Sequence, residues 1–96
     1  MSSIINLQDK VVQFDEVLLK EVEDSFILLN LKNNNYYGLD SVGHHCYLRL
    51  LESETIENAF EKLTEDFQVD ADELKADLIL LIGSLIEAEV VYLQTK

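Results

Sequence analysis

Proline is absent from this 96-residue sequence, cysteine occurs once and glycine only three times. The single cysteine, Cys46, excludes a disulfide within the chain and fits a reducing compartment. Three glycines cannot supply a glycine-rich phosphate-binding loop. The longest apolar run, residues 78–82, is far too short to span a bilayer, and the N-terminus lacks the basic start and apolar core of a secretory segment. We therefore expect a cytoplasmic protein with no membrane partner.

Basic residues are also scarce, with seven Lys and Arg against nineteen Asp and Glu, which gives a net charge of −12. A field of that sign repels phosphate backbones and attracts cationic partners. The charge thus argues against nucleic acid as a partner. Solubility alone is an equally good explanation of the acidity.

The length allows one domain and not two. With 48% hydrophobic residues, the chain has enough apolar surface for a thin core without disulfides. No proline, repeat or low-complexity tract marks a linker. We therefore predict a single domain over residues 1–96, in which residues 1–9 are flexible because they carry no clear hydrophobic period.

The first half of the chain has the alternation and the turn residues that are typical of strands. The pattern predicts three strands, at residues 17–22, 26–31 and 36–39. Turns at 23–25 and 33–35 are rich in Asp, Ser and Asn, which bond the local backbone or tolerate its left-handed conformation. Two tight turns predict an antiparallel meander. Residues 10–14 and 90–93 are candidates for further short extended segments.

The second half contains three amphipathic stretches, each preceded by an N-cap residue. The predicted caps are Asp40 or Ser41, Thr55 and Asp70, and the helices extend to about Leu51, Phe67 and Ala88. Strands followed by helices indicate the α+β class. The predicted architecture is a winged helix-turn-helix, with an N-terminal three-stranded antiparallel sheet followed by three helices.

The tripeptide His44-His45-Cys46 invites a metal-site or nucleophile interpretation, which the geometry of a helix disfavours. Consecutive helical residues point about 100° apart and do not converge on one ion or face each other. The sequence has no further His or Cys to complete a four-ligand site. Carboxylate pairs arise readily among nineteen acids, and none is marked as an acid–base couple. We predict no metal, no cofactor and no enzymatic activity.

Four stretches, taken in order, carry a more specific pattern. An acidic turn precedes an apolar strand, an aromatic strand runs into a helix start, a capped helix follows, and an acid opens the apolar part of the last helix; these are residues 24–30, 36–43, 55–63 and 77–85. In this order and spacing they resemble the PqqD-like family, the peptide-recognition elements of ribosomally made and modified peptides. The stand-alone leader-binding proteins of lasso-peptide pathways are the most similar members. The family usually has Trp at the position of Tyr47 and Gly near Glu89.

The resemblance implies that an extended leader peptide adds as a strand, antiparallel to the third strand, and sends side chains into an apolar cleft beside the third helix. The implied site residues are Asn35, Tyr36, Tyr37, Gly38, Leu39, Leu74, Asp77, Leu78, Leu81 and Leu85. Because Tyr37 shares a face with the core residue Leu39, Tyr36 is the better candidate for peptide contact. The strand lacks the proline or charge that usually protects an exposed edge. The alternative is a short strand whose tyrosines only pack on the helices.

The partners implied by the resemblance are the precursor leader peptide and, in a lasso pathway, a transglutaminase-like leader peptidase and an asparagine-synthetase-like cyclase. The third helix is apolar over more than one stripe, so the leader, the C-terminal strand or a second copy in a homodimer is expected to cover it. Two other functional classes stay open. One is a small acidic oligomerisation or scaffold domain without a peptide ligand. The other, a winged-helix transcription regulator, needs a basic recognition helix, whereas Lys62 and Lys75 are the only bases in the last two helices.

Overall fold

The structure, a computed structural model, describes residues 5–95. Over these residues the chain forms antiparallel strands and three helices, which confirms the predicted α+β class. The elements in chain order are β1 (Lys10–Gln13), β2 (Val17–Val22), β3 (Ser25–Asn30), β4 (Tyr36–Leu39), α1 (Ser41–Glu52), α2 (Ile56–Asp66), α3 (Ala71–Glu87) and β5 (Val91–Gln94).

The predicted meander is present as the antiparallel sheet β2-β3-β4. Its middle strand, β3, ends at Asn30, one residue before the predicted end, so the exposed Leu31 belongs to the following turn. The two short extended segments at the chain ends pair with each other as a separate sheet, β1-β5. The C-terminal strand is therefore occupied by β1 and does not add to the meander.

One face of the meander packs on the helices. Along β3, Leu28 is fully buried and Asn30 is 5% exposed, and Phe26 lies on the same face. The helices contribute Tyr47, Leu63 and other buried residues to the core. The Tyr47 hydroxyl donates a hydrogen bond to the Gln13 side chain, which joins α1 to β1. Burial raises the pKa of Tyr47 far above its ordinary value, so the hydroxyl stays a donor.

Each helix begins at the side-chain cap that the sequence predicts. Asp40 Oδ1 accepts from the Gly43 amide at 2.7 Å, and Thr55 Oγ1 accepts from the Asn58 amide at 3.0 Å. Asp70 caps α3 in the same way. These caps satisfy amides that have no partner inside the helix, and they fix α1 directly after β4.

Residues just before β1 are held by the start of α2. The carbonyls of Leu7 and Asp9 accept hydrogen bonds from the amides of Glu57 and Ile56, at 3.0 and 2.9 Å. Residues just before β1 thus have hydrogen-bond partners at the start of α2, and the flexibility of residues 1–9 stays a prediction. Residues 1–4 lie outside the described part of the chain.

A network of charged side chains joins α1 to α2. Arg49 donates from Nε and Nη2 to the two oxygens of Asp66, at 2.7 and 2.9 Å, and His45 Nε2 lies 2.8 Å from Asp66 Oδ2. The hydrogen bonds from Arg49, and then that from His45, lower the pKa of Asp66 to about 2. The carboxylate is therefore more acidic in the folded protein than in the unfolded chain.

Replacement of Asp66 is expected to change how stability depends on pH. A carboxyl whose pKa falls from 3.8 to about 2 on folding stabilises the fold above pH 3.8, and this contribution is lost as the pH falls through about 2. Asp66→Asn should therefore be less stable than wild type near neutrality, by a margin that narrows between about pH 4 and pH 2. Denaturant unfolding across this range measures it. Glu65→Gln, on the adjacent residue outside the network, is the control, and a pH-independent margin for Asp66→Asn would contradict the account.

Candidate functional site

Strand β4 forms one edge of the meander, and within residues 5–95 it pairs only with β3. The Asn30 amide donates to the Asn35 carbonyl at 2.8 Å. Because hydrogen-bonded and non-hydrogen-bonded pairs alternate along an antiparallel ladder, Tyr37 also directs its backbone groups toward β3. Tyr36 and Gly38 consequently direct their amides and carbonyls toward the open edge. Two residues therefore offer donors and acceptors to an added strand.

Side chains of β4 divide between the two faces as the sequence predicts. Leu39 is 5% exposed and Tyr37 is half-buried against the core, whereas Tyr36 is 71% exposed on the outer face. Gly38 shares the outer face with Tyr36. The strand thus has one apolar side anchored on the helices and one side open to solvent.

Beside the end of β4 lies a groove of about 230 Å³, between the start of α1 and the first half of α3. Four of the predicted site residues of α3 line it, namely Leu74, Asp77, Leu78 and Leu81. Leu78 forms the floor, since it is only 2% exposed, whereas Leu81 is partly buried and lines the groove. The groove therefore combines an apolar floor with an acid on its wall.

The opposite wall of the groove comes from α1, which the sequence reasoning did not include. Val42, Gly43 and Cys46 line this side, together with Asp40 just before the helix. Burial raises the pKa of the Cys46 thiol, and the nearby carboxylates of Asp40, Asp66 and Asp77 raise it further. Cys46 therefore contributes a neutral thiol to this wall. The capped helix start after β4 is the sequence feature that indicates this wall.

Two carboxylates, those of Asp40 and Asp77, give the entrance of the groove a negative charge. Asp40 is engaged as the cap of α1. Asp77 is exposed, and no hydrogen bond or ion pair to it occurs among residues 5–95. Asp77 is therefore available to a donor or a cation that enters the groove.

Leu85 lies elsewhere. It is fully buried one turn after Leu81, and the structure does not bring it to the groove surface. Its side chain belongs to the core beneath α3.

At the opposite end of α3, Glu89 ties the helix to the β3–β4 turn. Its carbonyl accepts from Asn30 Nδ2 at 2.7 Å, and its Oε1 accepts from Asn33 Nδ2 at 2.9 Å and Asn35 Nδ2 at 3.2 Å. Glu89 has a φ of 61°, in the left-handed region where glycine is usual. These hydrogen bonds offset that conformation and fix the spacing between the open edge and the helix.

Residues 5–95 offer neither a metal-binding cluster nor a helix that could cross a bilayer. No group of His, Cys, Asp and Glu side chains there is arranged to hold a metal ion. No helix in that part of the chain has the length and apolar character needed to cross a bilayer.

The family model for coenzyme PQQ synthesis protein D (PqqD) matches residues 25–91, from the start of β3 to the start of β5. The chain belongs to the PqqD family. The PqqD match includes β4, α1 and α3, the three elements that form the open edge and the groove. It confirms the family resemblance of the sequence.

Two solved structures share the fold of this PqqD-family chain. TbiB1 in complex with the TbiA(beta) leader peptide is 26% identical, with a TM-score of 0.72 over 82% of this chain and 92% of that one. A lasso peptide synthetase B1 complexed with the leader peptide is 19% identical, with a TM-score of 0.75 over 86% of this chain and 98% of that one. At that lower identity the likeness concerns the fold alone. A comparison with curated proteins gave no match.

Proposed function

We propose that this PqqD-family domain binds the leader segment of a ribosomally made precursor peptide, of the lasso type, by addition of a strand to β4. The observation that carries the proposal is the open edge at Tyr36 and Gly38, directly beside the apolar groove on α3. Main-chain hydrogen bonds give such a complex its register, and pockets for alternate side chains give it specificity. The similarity to TbiB1, whose structure contains a bound leader peptide, supports this function.

Antiparallel addition to β4 would give the docked leader a direction. An antiparallel strand runs opposite to β4, so its N-terminal part lies near Asp40 and Asp77, and it leaves past Asn35 and Glu89. Leader side chains on the core side enter the groove toward Leu78 and its neighbours. Side chains on the other side lie next to Tyr36 and Gly38.

The ten site residues divide by role within this proposal. Those on β4 form the edge, Asn35 just before β4 joins the edge to Glu89, and Leu74, Asp77, Leu78 and Leu81 line the groove. Tyr37 and Leu39 anchor the edge strand on the core, and Leu85 supports the floor from below.

The domain's role in this proposal is binding without catalysis. It holds the leader in the cytoplasm and delivers the attached core segment to a transglutaminase-like leader peptidase and an asparagine-synthetase-like cyclase, raising the local concentration of the substrate. The sheet and the three helices form a winged helix-turn-helix arrangement that serves a peptide. Nucleic acid is disfavoured as the ligand by the net charge of −12.

The direct test is calorimetric titration with the cognate leader, defined as the leader segment of a short precursor to be identified among the genes that neighbour the gene for this chain. Saturable binding with one leader per chain is expected, and a scrambled leader of the same composition should give none. A titration with the cognate leader that gives no measurable heat of binding would contradict the proposal.

Self-association is the second candidate, and one observation favours it. The outer face of the meander exposes Leu18 and Tyr36, at 54% and 71%, in one row across the sheet. Light scattering with and without leader separates the two functions. A dimer whose mass and stability the leader leaves unchanged would support the scaffold alternative.

Neutralising Asp77 is expected to weaken leader binding several-fold, because its carboxylate faces the N-terminal part of the docked strand and attracts Lys or Arg there. Asp77→Asn should lower the affinity about threefold and reduce the salt dependence of the association rate. Stopped-flow association at two salt concentrations measures both. Asp72→Asn makes the same charge change on the same helix outside the groove. Equal effects of the two variants would show that only net charge matters.

A further inference from the structure

Gly38 is the one residue of β4 without a side chain, and the described molecule does not require a glycine there. Its φ is outside the left-handed region. A Cβ built on it would have no heavy atom within 4 Å among the neighbours compared. Glycine within a strand weakens that strand and often marks the close approach of a ligand or another backbone. The chain's own packing therefore gives no reason for glycine at this position.

The space left by Gly38 opens on the outer face of the sheet. Gly38 lies opposite Ile27, a half-buried residue of β3, and Ile27 lies opposite Lys20 on β2. Tyr36 stands two residues before Gly38 on the same face and is 71% exposed. We call the surface over Gly38, bordered by Ile27 and Tyr36, the outer notch.

An added strand would place one side chain directly on the outer notch. Because the backbone groups of Gly38 face the open edge, the leader residue opposite it forms a hydrogen-bonded pair, with the two Cα atoms about 5.5 Å apart. That residue points its side chain to the same outer face as Gly38. Without a Cβ in the way, a broad flat side chain can lie across Gly38 and contact Ile27.

We propose that the outer notch is a specificity determinant that selects an aromatic leader side chain opposite Gly38. This inference rests on the leader-binding function proposed above and deepens it. An aromatic ring matches the notch because it buries a large flat area at low entropic cost and is known to cover glycines in edge strands. Its contact with Ile27 and Tyr36 is independent of the groove on the other face.

Gly38→Val tests the proposal, because a branched side chain fills the notch without a clash inside the molecule. The thermal unfolding midpoint should stay the same or rise, since valine favours strands. The affinity for the cognate leader should fall about tenfold, and Gly38→Ala should give a smaller loss. Lys20→Val is the matched control, since it adds the same side chain to the same face and row on the far strand, and it should leave the affinity within about twofold of wild type.

A double-mutant cycle separates the notch from general damage to the edge. Each aromatic residue of the leader is replaced by Ala in turn. For one of these replacements, wild type and Gly38→Val should bind the altered leader with the same affinity. The proposal for the outer notch is overturned if Gly38→Val binds the leader as wild type does. It is also overturned if the affinity loss from Gly38→Val adds to the loss from every leader replacement. Leader binding itself stands in both cases. If the wild-type chain does not bind the cognate leader, the proposed function itself fails.

Discussion

Leu81→Asp is expected to abolish leader binding, with an affinity loss of about a hundredfold or more, while the domain stays folded. Leu81 lines the groove and is only partly buried, so a carboxylate at this position can reach water in the free protein. A docked leader would cover it with apolar side chains and leave the charge without a partner. Calorimetric titration measures the affinity, and the circular dichroism spectrum reports the fold.

Two further variants of α3 make this experiment decisive. Leu80→Asp introduces the same charge on the adjacent residue, which is 69% exposed and outside the groove, so neither binding nor stability should change. Leu78→Asp should abolish binding by unfolding the domain, because Leu78 is 2% exposed in the core. A folded Leu81→Asp protein that binds the leader as wild type does would remove α3 from the site.

Tyr36→Pro is expected to lower leader affinity by about tenfold more than Tyr36→Ala does. Both variants lose the exposed ring, but only proline also removes the amide that points to the open edge. The pair thus isolates a main-chain hydrogen bond to the leader. Tyr36→Ala alone should weaken binding modestly and cost little stability, because the ring is 71% exposed.

Proline is tolerated at Tyr36 because an amide on a free edge has no partner in the sheet. Tyr37→Pro is the counterpart, since its amide faces β3 and its loss should lower the unfolding midpoint. Equal affinities of Tyr36→Pro and Tyr36→Ala would contradict strand addition at this residue. Urea unfolding of each variant shows whether the meander is retained.

The meander and the helix starts were predictable because their determinants are local. Asn-rich and Asp-rich turns separate alternating strands, and Asp40, Thr55 and Asp70 cap the helices through the amides that follow them. The outward position of Tyr36 followed from alternation around Leu39. These features depend on residues within one turn or one strand of each other.

The shape of the groove was not predictable, because it depends on contacts between distant segments. Helical periodicity places Leu81 and Leu85 on one stripe, but only the packing of the whole domain leaves the first partly accessible and buries the second fully. The pairing of β1 with β5 and the hydrogen bonds of Asn33 and Asn35 to Glu89 also join parts far apart in sequence. Such contacts leave no local pattern.

Amide hydrogen exchange of β4, with and without saturating cognate leader, tests the central claim most directly. In the free protein the Tyr36 and Gly38 amides should exchange quickly, whereas Tyr37 and Leu39 should be protected by β3. Leader binding should slow amide exchange at Tyr36 and Gly38 strongly. The exchange rate of the Tyr37 amide should be nearly the same with and without leader. Fast exchange at Tyr36 and Gly38 in a fully bound sample would contradict the addition of the leader to this edge.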